Sequence, residues 1–404
     1  MKVWHFNEMS HHQAWEHAGE SVRVDVPSRL YDPVIGADLY NRYLDEWALC
    51  DELGINIMVN EHHAASTCLS SICTIPLAIL ARETKRVRLL ALGMPIANRL
   101  EPIRVAEEFA MIDVISRGRL EMGLIKGAPY EVALSNSNPA TLMEKYWEAH
   151  DLILKAMTTL DGPFNWEGKF FQYRKVNVWP RPFQQPHPPV WVTAGSVKSA
   201  REIAERGHVM ATFNTGWRTR GLFDAYKERA AELGWTATPD RFAYLGLVGV
   251  GDTKEEGFRI ASQIMDHIRY NPIVASQYTK PPGYYPVDDM TRALRSGTKG
   301  TVGLIATPMS REGKVIEKRR ATVEEYIDAG VVFAGTPDMV FEQIREFVNK
   351  AGSLGHLLMQ GQAAWLSHED TVRNLTLFSK EVLPRLEGLT EASETSVRGS
   401  TAVA

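Results

Sequence analysis

The sequence predicts an α/β protein built on an eight-fold (β/α) barrel, the TIM-barrel architecture, with insertions. Eight short β-rich runs are spread along the chain, and amphipathic helical segments separate them. A doubly wound open sheet typically has five or six strands, so eight strand and helix units favour the closed barrel. The length of 404 residues agrees, because α/β barrels run long as one unit.

Taken in order, the expected strands lie at 3–6, 55–60, 86–91, 119–125, 190–193, 209–213, 242–250 and 356–360. Between the first two, Tyr40, Tyr43, Leu44, Trp47 and Cys50 recur at three- and four-residue spacing, which predicts a helix over 39–53 stopped by Gly54. The uncharged run 64–81 carries Ser66, Thr67, Ser70, Ser71, Thr74 and Pro76, so it reads as a buried helix and not a membrane span. After the fifth strand, Thr193 to Ser199 reads as strand end, glycine turn and the start of a helix running to about Arg206. Residues 271–320, with their PPGYYP stretch, are too long for a plain connection and are expected to form a lid over the barrel mouth. The barrel therefore occupies 1–386, and the Ser-, Thr- and Ala-rich residues 387–404 form a flexible tail.

Composition narrows the function. With 44% hydrophobic and 23% charged residues, the chain is an ordinary globular protein. A net charge of −4 and a pI near 6.3, with no basic cluster, argue against nucleic acid or an anionic membrane as partner. Three cysteines, Cys50, Cys68 and Cys73, fit neither a disulfide framework nor a zinc site. Charges and histidines interrupt the N-terminus, which therefore does not read as a secretory signal, and the expected location is cytoplasmic.

In a barrel the chemistry sits where the strands end. Alternation along the second strand puts Ile55, Ile57 and Val59 under the outer helices and Asn56, Met58, Asn60 and His62 towards the barrel interior. His62 is thus either a hydrogen-bonded rim histidine or a chemical group. Glu61 and His63 point away from it, so the two histidines do not converge on one metal. A first-strand His-x-His pair is also missing, since Asn7 follows His5, and no metal site is expected. Small hydroxyl residues at a helix N-terminus after the fifth strand serve either as caps or as an anion site. Lys126 ends the fourth strand and is placed to add a cation. Gly249-Val250-Gly251 begins a dinucleotide fingerprint that Lys254 breaks, so no nicotinamide site is read.

These segments also carry a resemblance. The strand followed by EHH, then ETKRVRLLALGMPI, EPIRVAEEFAMIDVISRGRLEMGLIKG, VNVWPRPFQQPHPPVWVTAGS and the late AGTPDMVFEQIREFV resemble, in this order, the bacterial luciferase-like flavin-dependent monooxygenases. The resemblance implies FMN at the carboxyl end of the barrel. The family histidine that contacts the flavin edge and assists proton movement falls on His62. The strained non-proline peptide beneath the isoalloxazine falls near Leu92 and Gly93. The family's basic residue, an arginine in luciferase-type members, falls on Lys126. Its phosphate-binding turn falls on Thr193, Gly195, Ser196 and Ser199, where Gly195 replaces an acidic residue and so removes a negative charge beside the phosphate. The implied activity is that of a two-component monooxygenase and homodimer. Reduced FMN comes from a separate flavin reductase, and one atom of oxygen passes to a small organic substrate. A 5-deazaflavin-dependent oxidoreductase of the same fold and a non-catalytic partner subunit are the alternatives.

Overall fold

The computed structural model describes residues 1–17, 22–270, 274, 278, 281–285, 287, 291, 308–387 and 389. Most of the expected lid and nearly all of the expected tail lie outside them.

Eight strands close into a parallel barrel in the order β1 (Lys2–Phe6), β2 (Asn56–Val59), β3 (Leu89–Pro95), β4 (Leu120–Ile125), β7 (Val190–Thr193), β8 (Val209–Phe213), β9 (Phe242–Val250) and β11 (His356–Gln360), and β11 pairs back onto β1. These are the eight strands the sequence predicts. Two additions were not foreseen. An antiparallel pair, β5 (Phe164–Glu167) and β6 (Gln172–Val176), lies within the connection from β4 to β7, and β10 (Val332–Gly335) extends the edge of β9.

Helices cover the outside: α1 (Pro33–Leu53), α2 (Thr74–Glu83), α3 (Pro102–Ser116), α4 (Pro129–Leu134), α5 (Leu142–Thr158), α6 (Val197–Ala204), α7 (Thr219–Glu232), α8 (Lys254–Tyr270), α9 (Val323–Asp328), α10 (Pro337–Ala351) and α11 (His368–Leu377). Asp32 caps α1 by accepting from the amides of Val34 and Ile35, and Pro33 occupies its first position, so the helix starts six residues before the expected 39. Gly54 ends it at φ 71°, as the sequence predicts.

Two sequence expectations need correction. The run 64–81 is not one helix, because α2 begins only at Thr74. Pro76 lacks an amide hydrogen and is tolerated in a first turn, while the Ser70 hydroxyl donates to the Asn60 carbonyl and the Cys73 amide to Glu61, holding the preceding stretch as a loop. The third strand begins at 89, not 86, because the amides of Lys85, Arg86 and Val87 donate to the Asp51 carboxylate at the end of α1.

Alternation sorts the side chains as anticipated. Ile55, Ile57 and Val59 join the large core between barrel and helices, whereas Met58 faces a separate interior cluster with Trp4, Phe6, Leu90, Leu92, Trp191, Leu245 and Leu358. At the amino end of the barrel the Trp4 indole donates to His356 at 3.1 Å, and Arg88 pairs with Glu121. All three cysteines are buried free thiols. Among the described residues no helix is long and apolar enough to cross a membrane.

Candidate active site

The parallel barrel brings the segments after β1, β2, β4, β7 and β11 to one rim. His62 follows β2 in the inward phase of Met58, and its side chain is only 17% exposed. Its Nδ1 lies 3.0 Å from Glu131 Oε1 and 3.1 Å from the Tyr130 hydroxyl. Both partners come from α4. Glu131 stands three residues after Ala128 and accepts its amide at 2.7 Å through Oε2, while Oε1 also takes the His63 amide at 3.2 Å. Burial alone would raise the Glu131 carboxyl, but His62 and these hydrogen bonds outweigh it and hold the group below its ordinary range. With Glu131 ionised, His62 Nδ1 carries the proton and donates to Oε1. Nε2 is left as the nitrogen able to give or take a proton.

A buried chain of polar groups continues behind this pair. The Arg23 guanidinium donates to the Tyr130 hydroxyl and reaches Glu8 at 3.4 Å, and Glu8 meets His267 Nε2 at 3.0 Å. Burial pushes the Glu8 carboxyl up, yet His267 and Arg23 prevail and bring it to about 2. Burial likewise keeps Tyr130 a phenol, well above its usual range.

The neighbouring histidine looks elsewhere. His63 Nε2 lies 3.3 Å from Glu61 Oε1, and Glu61 also binds Arg99 at 2.8 Å and the Cys73 amide at 3.0 Å. The two adjacent histidines serve different carboxylates, and among the described residues no cluster could hold a metal ion.

At the end of β4, the Lys126 ammonium sits 3.6 Å from the centre of the Tyr284 ring, whose hydroxyl donates to the Gly127 carbonyl at 2.6 Å. Gly127 has φ 96°, which turns the chain at this point without a Cβ penalty. Burial brings the amine of Lys126 down to about 8, partly opposed by Glu202 of α6. Among the described residues Lys126 forms no ion pair, so this is a largely desolvated cation fit for an anion.

The N-terminus of α6 is capped reciprocally: the Ser199 amide donates to Ser196 Oγ at 3.2 Å, and the Ser196 amide to Ser199 Oγ at 3.1 Å. Capping is thus what these serines do within the chain. A Cβ at Gly195 would meet nothing within 4 Å, so the turn is open in front of the helix dipole. Thr193 closes β7, in the inward phase of Trp191. Leu92 lies on the interior floor, the Leu92–Gly93 peptide is cis, and β3 shifts register against β4 there. Gly123 is required opposite this point, since a Cβ would lie 2.1 Å from the Ala91 carbonyl. An open helix terminus, a desolvated cation and an apolar floor together fit a phosphate joined to a planar ring.

Sequence reasoning placed His62 but missed Glu131, Tyr130, Arg23 and Glu8. A signal existed for the first two. The APYE stretch after the fourth strand reads as a proline-initiated helix with a carboxylate in its first turn.

The family model for luciferase-like monooxygenases matches residues 9–354. The oxygenase component of the flavin-dependent trigonelline monooxygenase of Acinetobacter baylyi is 32% identical over 44% of this chain, a match that spans only 50% of that protein. The F420-dependent glucose-6-phosphate dehydrogenase of Amycolatopsis mediterranei is 24% identical over 77% of this chain and 82% of that protein. Among solved structures, the oxygenating constituent of 3,6-diketocamphane monooxygenase from Pseudomonas putida, in complex with FMN, has a TM-score of 0.65. It covers 86% of this chain and 93% of that one at 22% identity, which is a likeness of fold. On the strength of a family match that runs through most of the barrel, the chain belongs to the luciferase-like monooxygenases.

Proposed function

We propose that this protein is the oxygenase component of a two-component FMN-dependent monooxygenase. The observation that carries the reading is the meeting, at one barrel rim, of a desolvated Lys126, the open α6 terminus and the His62–Glu131 pair. When bound, reduced FMN supplies the electrons that let oxygen react, with one atom passing to a small organic substrate.

The chain's own residues then have separable tasks. Lys126 and the amide and hydroxyl groups at Ser196 and Ser199 hold the phosphate, with Thr193 beside them. Leu92 and Gly93 form the floor under the ring. His62, oriented by Glu131, gives or takes a proton through Nε2. Tyr284 covers Lys126 and excludes water from that end. This contact supports the wider reading of 271–320 as a cover within a single barrel domain over 1–386.

A homodimer and a cytoplasmic location belong to the same proposal. Exposed Ile75, Ile79, Met111, Val114 and Ile115 on α2 and α3 support the first, and three free buried thiols the second. The F420-dependent relative favours a second reading, deazaflavin-dependent hydride transfer on the same scaffold. The intact His62 and Lys126 surroundings speak against a non-catalytic subunit.

Two results are expected. Ser196→Ala should weaken FMN binding by about 1.5–3 kcal/mol, the worth of a charge-assisted hydrogen bond, as read by fluorescence titration. Ser196→Asp separates cofactor binding from capping, because aspartate still caps α6 but repels a phosphate. It should keep the melting temperature while losing more affinity than alanine. In the second experiment, protein mixed with FMN and NADH alone should oxidise NADH near background. A competent flavin reductase, or photoreduction of the flavin, should restore substrate oxygenation. Rapid NADH oxidation by the purified chain would reveal a nicotinamide site of its own and overturn the two-component assignment.

A further inference from the structure

The loops that follow β1 and β11 hold buried donors that no other described residue satisfies. Phe6 pairs in register with Gln360, so Asn7 and Gln360 stand at the same edge of the barrel mouth. Asn7 is 1% exposed and Gln360 2%. Asn7 Oδ1 accepts the Met9 amide at 2.7 Å, leaving Nδ2 without an acceptor among the described residues, and Gln360 Nε2 has none among them either. The indole N–H of buried Trp15, eight residues beyond Asn7, is in the same state. A buried donor left unpaired costs on the order of 1–3 kcal/mol, and these three stand beside further unpartnered buried atoms of Ser10, His11, His12, Gln13 and Gln362 in the two adjoining loops, a concentration of unmet polar groups that points to a bound polar molecule.

The same loops, with the end of α8, gather aromatic surface. The rings of Trp15 and Trp365 are 5.0 Å apart at 90°, Tyr270 lies 5.4 Å from Trp365 and 5.8 Å from Trp15, and His12 lies 5.7 Å from Trp365. Trp365 is half-buried and Tyr270 is 40% exposed, so aromatic faces remain open beside the Trp15 indole. The local charges are already committed, with Glu8 held by both Arg23 and His267 and Arg23 also engaged with Tyr130. The unpartnered groups on offer are amide, indole and imidazole side chains with no countercharge to offset a buried anion, which favours an uncharged ligand over a carboxylate or phosphate.

We propose that the loops after β1 and β11 form the organic-substrate subsite of this mouth, and that the substrate class is a planar aryl or heteroaryl compound bearing an uncharged carbonyl. This rests on the monooxygenase reading and assigns its substrate chemistry. Trp15, Tyr270 and Trp365 contact the ring, while Asn7 and Gln360 donate to the carbonyl oxygen.

The test is calorimetric titration of the FMN-loaded full chain with 1-tetralone, an aryl ketone, against tetralin, which lacks the carbonyl, cyclohexanone, which lacks the arene, and benzoate, which is charged. The expected result is 1-tetralone binding about tenfold tighter than each of the other three, the worth of one or two net hydrogen bonds or of the lost ring contact. Gln360→Leu should abolish the advantage of tetralone over tetralin while leaving tetralin within about twofold, because only the donor is removed. Asn7→Leu should act in the same direction, and Gln360→Leu stands alone if loss of the Met9 contact unfolds that variant. Trp365→Ala should weaken both bicyclic ligands. Equal binding of tetralone and tetralin, as when ordered water satisfies the donors, or an unchanged tetralone affinity in Gln360→Leu, overturns the subsite. Failure of the wild-type chain to retain FMN overturns the monooxygenase reading beneath it instead.

Discussion

His62→Ala should leave the fold intact and cut coupled turnover at least roughly a hundredfold, the lower range for loss of a general acid-base group. The side chain sits at the rim, outside all three hydrophobic clusters of the described residues, so its removal leaves the core whole. Hydrogen peroxide release should rise as oxygen chemistry proceeds without a placed proton. Glu131→Gln tests the orientation separately. The amide keeps the size but removes the charge that holds the proton on Nδ1, so turnover should fall less than in His62→Ala and the pH profile should shift. Coupled turnover equal to wild type in His62→Ala would leave His62 a rim histidine and no more.

The second large effect concerns Lys126. Its amine is lowered to about 8 by burial, so it is charged at neutral pH and loses its proton within an accessible range. A phosphate with a second pKa of about 6 is already a dianion there, leaving the lysine as the group that changes. On the proposed reading the charged form binds the phosphate, so FMN affinity should fall as pH rises through and above about 8. The bound dianion shifts the lysine upward in the complex, and this shift is the linkage that produces the fall. Lys126→Met should weaken binding at pH 7 by roughly ten- to a hundredfold and flatten the dependence, and Lys126→Arg should keep affinity high across the range. A wild-type affinity independent of pH between 7 and 9.5 would remove Lys126 from the phosphate site.

The eight barrel strands were legible because parallel strands buried on both faces read as apolar, β-branched runs such as Val190–Thr193 and Phe242–Val250. Period-two alternation sorted Ile55 to Val59, whereas β2 ends at Val59 and the position of His62 is held by Glu131 and Tyr130. What escaped notice was governed by distant partners. Val332–Gly335 is four residues long and wedged between the α9 and α10 helices, so it pairs with β9 only because the fold brings that edge to it. The late start of β3 depends on Asp51, more than thirty residues earlier. Glu131 lies 69 residues from His62 in sequence, and Arg23 lies 107 from Tyr130. No local pattern announces such pairs. Ser196 and Ser199 show the opposite case: the capping spacing is plain in sequence, yet a cap and an anion site draw on the same kinds of group, so spacing alone does not separate them.

The central claim is that this barrel mouth binds reduced FMN through Lys126 and the α6 terminus. The most direct measurement is anaerobic equilibrium titration of the purified chain with reduced FMN and, in parallel, with a reduced 5-deazaflavin, each repeated on Lys126→Met. The account predicts saturable binding of reduced FMN that is tighter than binding of the deazaflavin and is weakened in the variant. Tighter binding of the deazaflavin, or an FMN affinity that Lys126→Met leaves unchanged, would contradict it.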